Sequence, residues 1–167
     1  ELLQVDARLR LPRSLCAAMA LQFAIGGAVI PFSALLLRDR GLDVSRISLI
    51  FSASSATLMV CPFLWGMLAD RFVPLNRLFT LLNVGAGAAL ALSAGQTQFP
   101  GLLLAFTLLT AFLNPTFMLI NALSFHHLPR PHEQFGRLRS WGSLGWMAPF
   151  LPISLWLAAT HRGELNV

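Results

Sequence analysis

Arg139, Ser143 and Trp146 stand four and then three residues apart in the run Arg139-Ser140-Trp141-Gly142-Ser143-Leu144-Gly145-Trp146. On a helix this spacing puts all three side chains on one face. Together they offer guanidinium donors for ring or sugar oxygens, a hydroxyl that donates or accepts, and an indole on which a base can stack. An arginine one turn inside a membrane span has another use, because it can snorkel to the headgroups as an anchor. Gln22 and Asn121 are amides within apolar runs. They fit a solute contact or a hydrogen bond between helices.

A second constellation is Gly66-Met67-Leu68-Ala69-Asp70-Arg71, with Arg77 six residues beyond. A glycine at position 66 lets another helix approach the backbone closely. Asp70 falls at a helix end whose dipole opposes an acid, so it calls for a partner, either a nearby arginine or the N-terminus of another helix. Gly66, Asp70, Arg71 and Arg77 are therefore candidate gating residues. The plainer alternative is an ordinary charged loop between two spans.

Catalytic chemistry fares worse. Ser143 lies in Gly142-Ser143-Leu144-Gly145, which lacks the Gly-x-Ser-x-Gly order of a nucleophile elbow. His126, His127 and His132 sit in a loop with basic neighbours, and no further ligand follows at zinc spacing. Cys16 and Cys61 both fall in apolar runs, where a thiol is a packing residue. The chain reads as a non-enzyme with no cofactor and no metal.

The elements that must position these residues are membrane helices. Of 167 residues, 56% are hydrophobic and 11% charged, against about 25% charged in soluble domains. Mean hydropathy is +0.68. These values exclude a disordered tail, a disulfide scaffold and a basic nucleic-acid module. No charge occurs in 14–37, 47–69, 78–129 or 140–161, with histidine counted neutral. A span needs about 20 apolar residues, and Gln96-Thr97-Gln98-Phe99-Pro100-Gly101 divides the longest run. Five spans are predicted, at about 14–37, 47–69, 78–96, 100–125 and 137–160. The fold class is all-α membrane protein, since the alternating pattern of a barrel strand is absent. Pro62, Pro115, Pro149 and Pro152 are predicted to kink their helices. Gly85-Ala86-Gly87-Ala88-Ala89 reads as a close-packing face.

Arginine placement predicts orientation. Arg8, Arg10, Arg13, Arg71, Arg77, Arg130, Arg137 and Arg139 fall on one side, eight in all. Arg38, Arg40, Arg46 and Arg162 make four on the other. The positive-inside bias then places the N-terminus in the cytoplasm. Asp6, Asp39, Asp43, Asp70 and Glu133 all fall at span ends or in loops. Proton-coupled transport generally needs a titratable group inside the membrane, so coupling belongs to a part not seen here, or the protein is a facilitator.

Gly66 to Arg71 resembles the loop between the second and third helices of the major facilitator superfamily, although Val73-Pro74-Leu75-Asn76 replaces its usual basic cluster. Asn114-Pro115-Thr116-Phe117-Met118-Leu119-Ile120-Asn121-Ala122-Leu123-Ser124-Phe125, then Phe135-Gly136-Arg137-Leu138-Arg139-Ser140-Trp141-Gly142-Ser143, and Leu21-Gln22-Phe23 are similar to the nucleoside:proton symporter family of that superfamily. The resemblance covers about residues 8–160. It implies a partial N-terminal bundle over 1–167, the first five of twelve helices, with a missing C-terminal half that carries the coupling acid. It further implies a multi-pass protein of the bacterial inner membrane that takes up a small-molecule solute, a nucleoside, together with a proton. Arg139, Ser143 and Trp146 would line the solute cavity, with Ser143 standing where the family usually has Thr. Related sugar, oligosaccharide and aromatic-acid symporters share the Arg-x-Trp-Gly-Ser part and stay open. So do a non-transporting membrane scaffold and an intramembrane hydrolase.

Overall fold

The computed structural model describes residues 11–162, and within them every regular element is a helix. Arg8 and Arg10 lie outside the described residues, as do the side chains of Asp70 and Arg162. Five segments are long and apolar enough to cross a membrane: Arg13–Asp39, Val44–Ala69, Leu75–Gly95, Phe99–His127 and Pro131–Ala159. The predicted number of spans holds, and most of the predicted boundaries fall within three residues.

The two outer segments are each broken by a proline. The first divides into α1 (Arg13–Val29) and α2 (Ser33–Asp39) around Pro31. The last divides into α6 (Pro131–Met147) and α7 (Phe150–Arg162) around Pro149. Ile30 and Ala148, just before these prolines, keep helical angles. What each proline removes is the N–H that would continue the ladder, and the break at Pro31 departs from the single helix expected over 14–37. Pro152 falls in the first turn of α7, where a proline removes no helix hydrogen bond, so the kink predicted there is corrected. The fifth segment also begins six residues earlier than 137. Pro131 starts the helix, Glu133 occupies its first turn, and buried Gln134 accepts a hydrogen bond from the Arg130 N–H at 3.1 Å.

The chain divides into two compact bodies, residues 1–31 with 124–167, and residues 32–123. In the first, α1 packs chiefly against α6. The buried seam of α6 is Gln134, Leu138, Gly142 and Gly145; that of α1 includes Met19, Gln22, Phe23, Gly26 and Gly27. A Cβ on Gly27 would collide with the carbonyl of Trp146, and one on Gly145 with that of Ala20. Glycine at these two positions lets the backbones touch, the packing that membrane helices use where no hydrophobic effect drives association.

The second body holds α2, α3 (Val44–Arg71), α4 (Leu75–Gly95) and α5 (Phe99–His127) up to residue 123. The expected close-packing face of α4 is partly present. Ala86 and Ala89 are buried and Gly85 lies under the Phe112 ring, but Gly87 meets nothing within 4 Å. Leu78 and Leu82 of α4 pack with Leu119 of α5, and Trp65 and Leu68 of α3 border the cluster.

The turn from α2 to α3 shows how a short loop can close a distant helix. Gly41 has φ +79°, its N–H bonds the Arg38 carbonyl at 2.9 Å, and the Leu42 N–H bonds the Leu37 carbonyl at 3.3 Å. That is the Schellman pattern, with Leu37 and Leu42 buried as its apolar pair. The turn presents Arg40 to the C-terminal end of α4. Its guanidinium donates to the carbonyls of Ser93, of Gln96 at 2.7 Å and of Ala94 at 3.4 Å. A cation there satisfies orphan carbonyls and complements the helix dipole. Arg40→Gln in the intact protein should cost about 1–3 kcal/mol, the range for charge-assisted hydrogen bonds and the carbonyls left behind. Arg40→Lys should recover part of it. Thermal melting in detergent checks this, and an unchanged melting temperature in Arg40→Gln would show that the cap does not stabilise the fold.

Candidate functional site

Arg139, Ser143 and Trp146 each follow a residue of the buried α6 seam, namely Leu138, Gly142 and Gly145. They therefore lie about 100° around the helix from the contact with α1. The predicted shared face is real as a helical geometry. Arg139 and Ser143 are exposed and Trp146 is half-buried.

Arg139 neither hangs free nor reaches only outward. Its guanidinium carbon lies 4.1 Å from the centroid of the Phe23 ring on α1. A guanidinium over an aromatic face gains cation–π attraction and loses rotational freedom. The buried edge of that arrangement is Gly142, where a Cβ would stand 2.9 Å from Phe23 and 3.1 Å from an Arg139 nitrogen. Gly142 thus makes room for the stack. The pairing of Phe23 with Arg139 depends on the crossing of α1 and α6, which no spacing within one helix reveals.

Gln22 is 3% exposed and sits inside the α1 seam. In this conformation it is an amide within the packed face, not on an open wall. Asn121 belongs to α5 in the other body. Its Oδ1 is buried and has no hydrogen-bond partner among the described residues, which marks an acceptor still to be satisfied.

The gating residues are placed as follows. Gly66 is exposed, and a Cβ added there would meet no atom within 4 Å. Among the described residues, no helix makes the close approach expected at Gly66. Gly66 instead borders an apolar cavity of about 220 Å³ with Pro62, Trp65, Pro115, Met118 and Ala122. Arg71 occupies the last turn of α3, where a cation suits the dipole. Arg77 is exposed in the first turn of α4. Among the described side chains, no ion pair includes Arg71 or Arg77. The side chain of Asp70, and with it the pairing expected there, lies outside the described residues.

Arg40, in the turn before α3, and Arg46, in its first turn, have local roles. Arg40 caps α4, as above. Arg46 pairs with Asp43 at 3.4 Å and lies 5.7 Å from the Phe99 ring centroid. Two of the four arginines counted against the predicted orientation thus serve the fold, a use that counting alone could not register.

The chain is similar, at 29% identity over 133 residues, to an Escherichia coli (strain K12) protein named "Putative nucleoside transporter YegT", a match covering 78% of this chain and 31% of that protein. The chain thus spans under a third of that relative's length. No solved structure matches it. The model of the MFS_1 like family matches residues 13–166, nearly the whole sequence. With five membrane-length helical segments in place, the chain belongs to the MFS_1 like family.

Proposed function

We propose that this chain forms part of a secondary transporter that takes up a nucleoside with a proton by alternating access across the bacterial inner membrane. The observation that carries the reading is the guanidinium of Arg139 held over Phe23 beside exposed Ser143 and half-buried Trp146. Similarity to a protein named for nucleoside transport supports the choice of solute. A fixed, planar donor fork suits the carbonyl and ring acceptors of a base, and Trp146 supplies a stacking face. Asn121 adds an amide from α5. Gln22, being buried, holds the α1 seam in this state. The proton-binding acid lies in a part of the transporter beyond this chain, since Asp6, Asp39, Asp43, Asp70 and Glu133 fall at span ends or in loops.

Uptake of radiolabelled uridine by cells expressing the intact protein tests the activity. It should be saturable and should collapse with a proton uncoupler; uptake that ignores the uncoupler would remove the coupling. Arg139→Lys keeps the charge but loses the fork. It should weaken uridine binding by about 1–3 kcal/mol, roughly 5- to 150-fold, with the fold verified by melting. Wild-type affinity in that variant would return Arg139 to a packing and anchoring role.

Orientation in this reading follows the eight-to-four arginine split, with the N-terminus cytoplasmic. A cysteine at position 74, in a background with Cys16 and Cys61 replaced, should react with an impermeant maleimide only from the cytoplasmic face. Labelling from outside would invert the topology.

Gly66, Asp70, Arg71 and Arg77 form the cytoplasmic gate of this scheme, with Asp70 contributing a contact that favours one access state. Asp70→Asn should slow uridine turnover while leaving affinity within about two-fold, because it shifts a balance between states without touching solute. Full turnover in Asp70→Asn would reduce the residue to loop charge.

A further inference from the structure

Two prolines on neighbouring helices stand at the same level. α3 and α5 are alternate spans and so run parallel, and three of their pairings keep one offset. Arg46 stacks on Phe99, Thr57 Oγ1 bonds Thr110 Oγ1 at 3.2 Å, and Pro62 and Pro115 border one cavity. Each pair is 53 residues apart, as the Thr57–Thr110 bond records. A proline lacks an N–H, so the carbonyl four residues earlier loses its helix donor. For Pro115 that carbonyl belongs to Ala111, within a segment long and apolar enough to cross the membrane.

The Ala111 carbonyl is nonetheless satisfied. The indole Nε1–H of Trp65 on α3 donates to it at 3.1 Å. The indole ring also meets the Phe112 ring at 5.9 Å between centroids, tilted by 40°. Phe112 in turn lies on Gly85 of α4, where a Cβ would stand 3.1 Å from the ring. Trp65 thus ties the weak point of α5 to α3 and, through Phe112, to α4. Beside it the half-open cavity at Gly66 and Ala122 leaves space on the Pro115 side.

We propose that Trp65 is a positioning residue that latches a hinge in α5 at Pro115. The latch fixes the bend of the segment beyond the proline and with it Asn121, six residues on. The consequence for solute binding rests on the reading of Asn121 as a solute contact; the latch itself does not. Bending at Pro115 costs no helix hydrogen bond, because that bond is already absent, so one indole donor sets the angle. Loss of the donor leaves a carbonyl without a partner in hydrocarbon and frees the hinge.

The test uses the intact protein with Cys16 and Cys61 replaced and a cysteine at position 122. Trp65→Phe keeps an aromatic ring against Phe112 but removes the donor. It should change the alkylation rate at position 122 and weaken uridine binding, each by roughly 3- to 12-fold, the scale of one net hydrogen bond. Pro115→Ala restores a helix N–H to the Ala111 carbonyl and makes the indole donor redundant. In that background Trp65→Phe should change either readout by less than about two-fold. Equal effects of Trp65→Phe in both backgrounds, or none in the proline background, would overturn the latch. If Trp65→Phe alone fails to fold, recovery of folding by Pro115→Ala supports the proposal, and failure to recover it refutes it. Altered alkylation with unchanged uridine affinity would keep the hinge and reject the role in positioning Asn121. A parent protein that binds no uridine would sink the nucleoside reading, while the alkylation rates still decide the latch.

Discussion

A bilayer core offers no water to a backbone carbonyl or amide, and the long-range polar contacts of this chain are answers to that constraint. Most polar side chains in the spans settle their needs inside their own helix. The Thr107 hydroxyl donates to the Leu103 carbonyl at 2.7 Å, and the Asn83 amide to that of Phe79 at 2.9 Å. Where a helix ends or a proline interrupts it, the donor must come from elsewhere. Arg40 supplies it for the end of α4 and Trp65 for the gap before Pro115. Ser54 Oγ and Asn121 Oδ1 are buried exceptions among the described residues, and each such atom costs about 1–3 kcal/mol while unpaired. Exceptions of that size concentrate where function needs them.

Much of the fold was legible because charge and hydropathy act locally. Uncharged runs, with the break at 96–101 dividing the longest, locate the five segments, all but the start of the fifth to within three residues. The misses share a cause: hydropathy reports where lipid is, while hydrogen bonding decides where a helix starts and stops. Pro131, Glu133 and Gln134 extend the fifth segment into polar surroundings that a hydropathy reading discards. Pro31 breaks the first segment without altering its apolar character. The candidate site was legible only within single helices. The spacing of Arg139, Ser143 and Trp146 fixes their common face, but the ring beneath Arg139 comes from a helix more than a hundred residues away.

The arginines make the same point from another side. Arg40, Arg46 and Arg139 are alike in composition, yet one closes a helix end, one joins a carboxylate and a ring, and one sits over Phe23. A planar cation with several donors is compatible with each role. What separates the roles is the backbone that presents the side chain, an αL turn at Gly41 in the first case and the Gly142 gap in the last.

The seam between α1 and α6 has a consequence for how the protein is made. Gly27 meets its partner around Trp146, so 119 residues (146 − 27) separate the two halves of the contact. At about 5–20 residues per second of synthesis, the first helix waits roughly 6–24 s for the surface it is built to touch. During that interval its glycine face and the Gln22 amide stand in lipid, or against whatever the insertion machinery provides. α1 is therefore made well before its native neighbour, and its sequence must suit a temporary host as well as a final one.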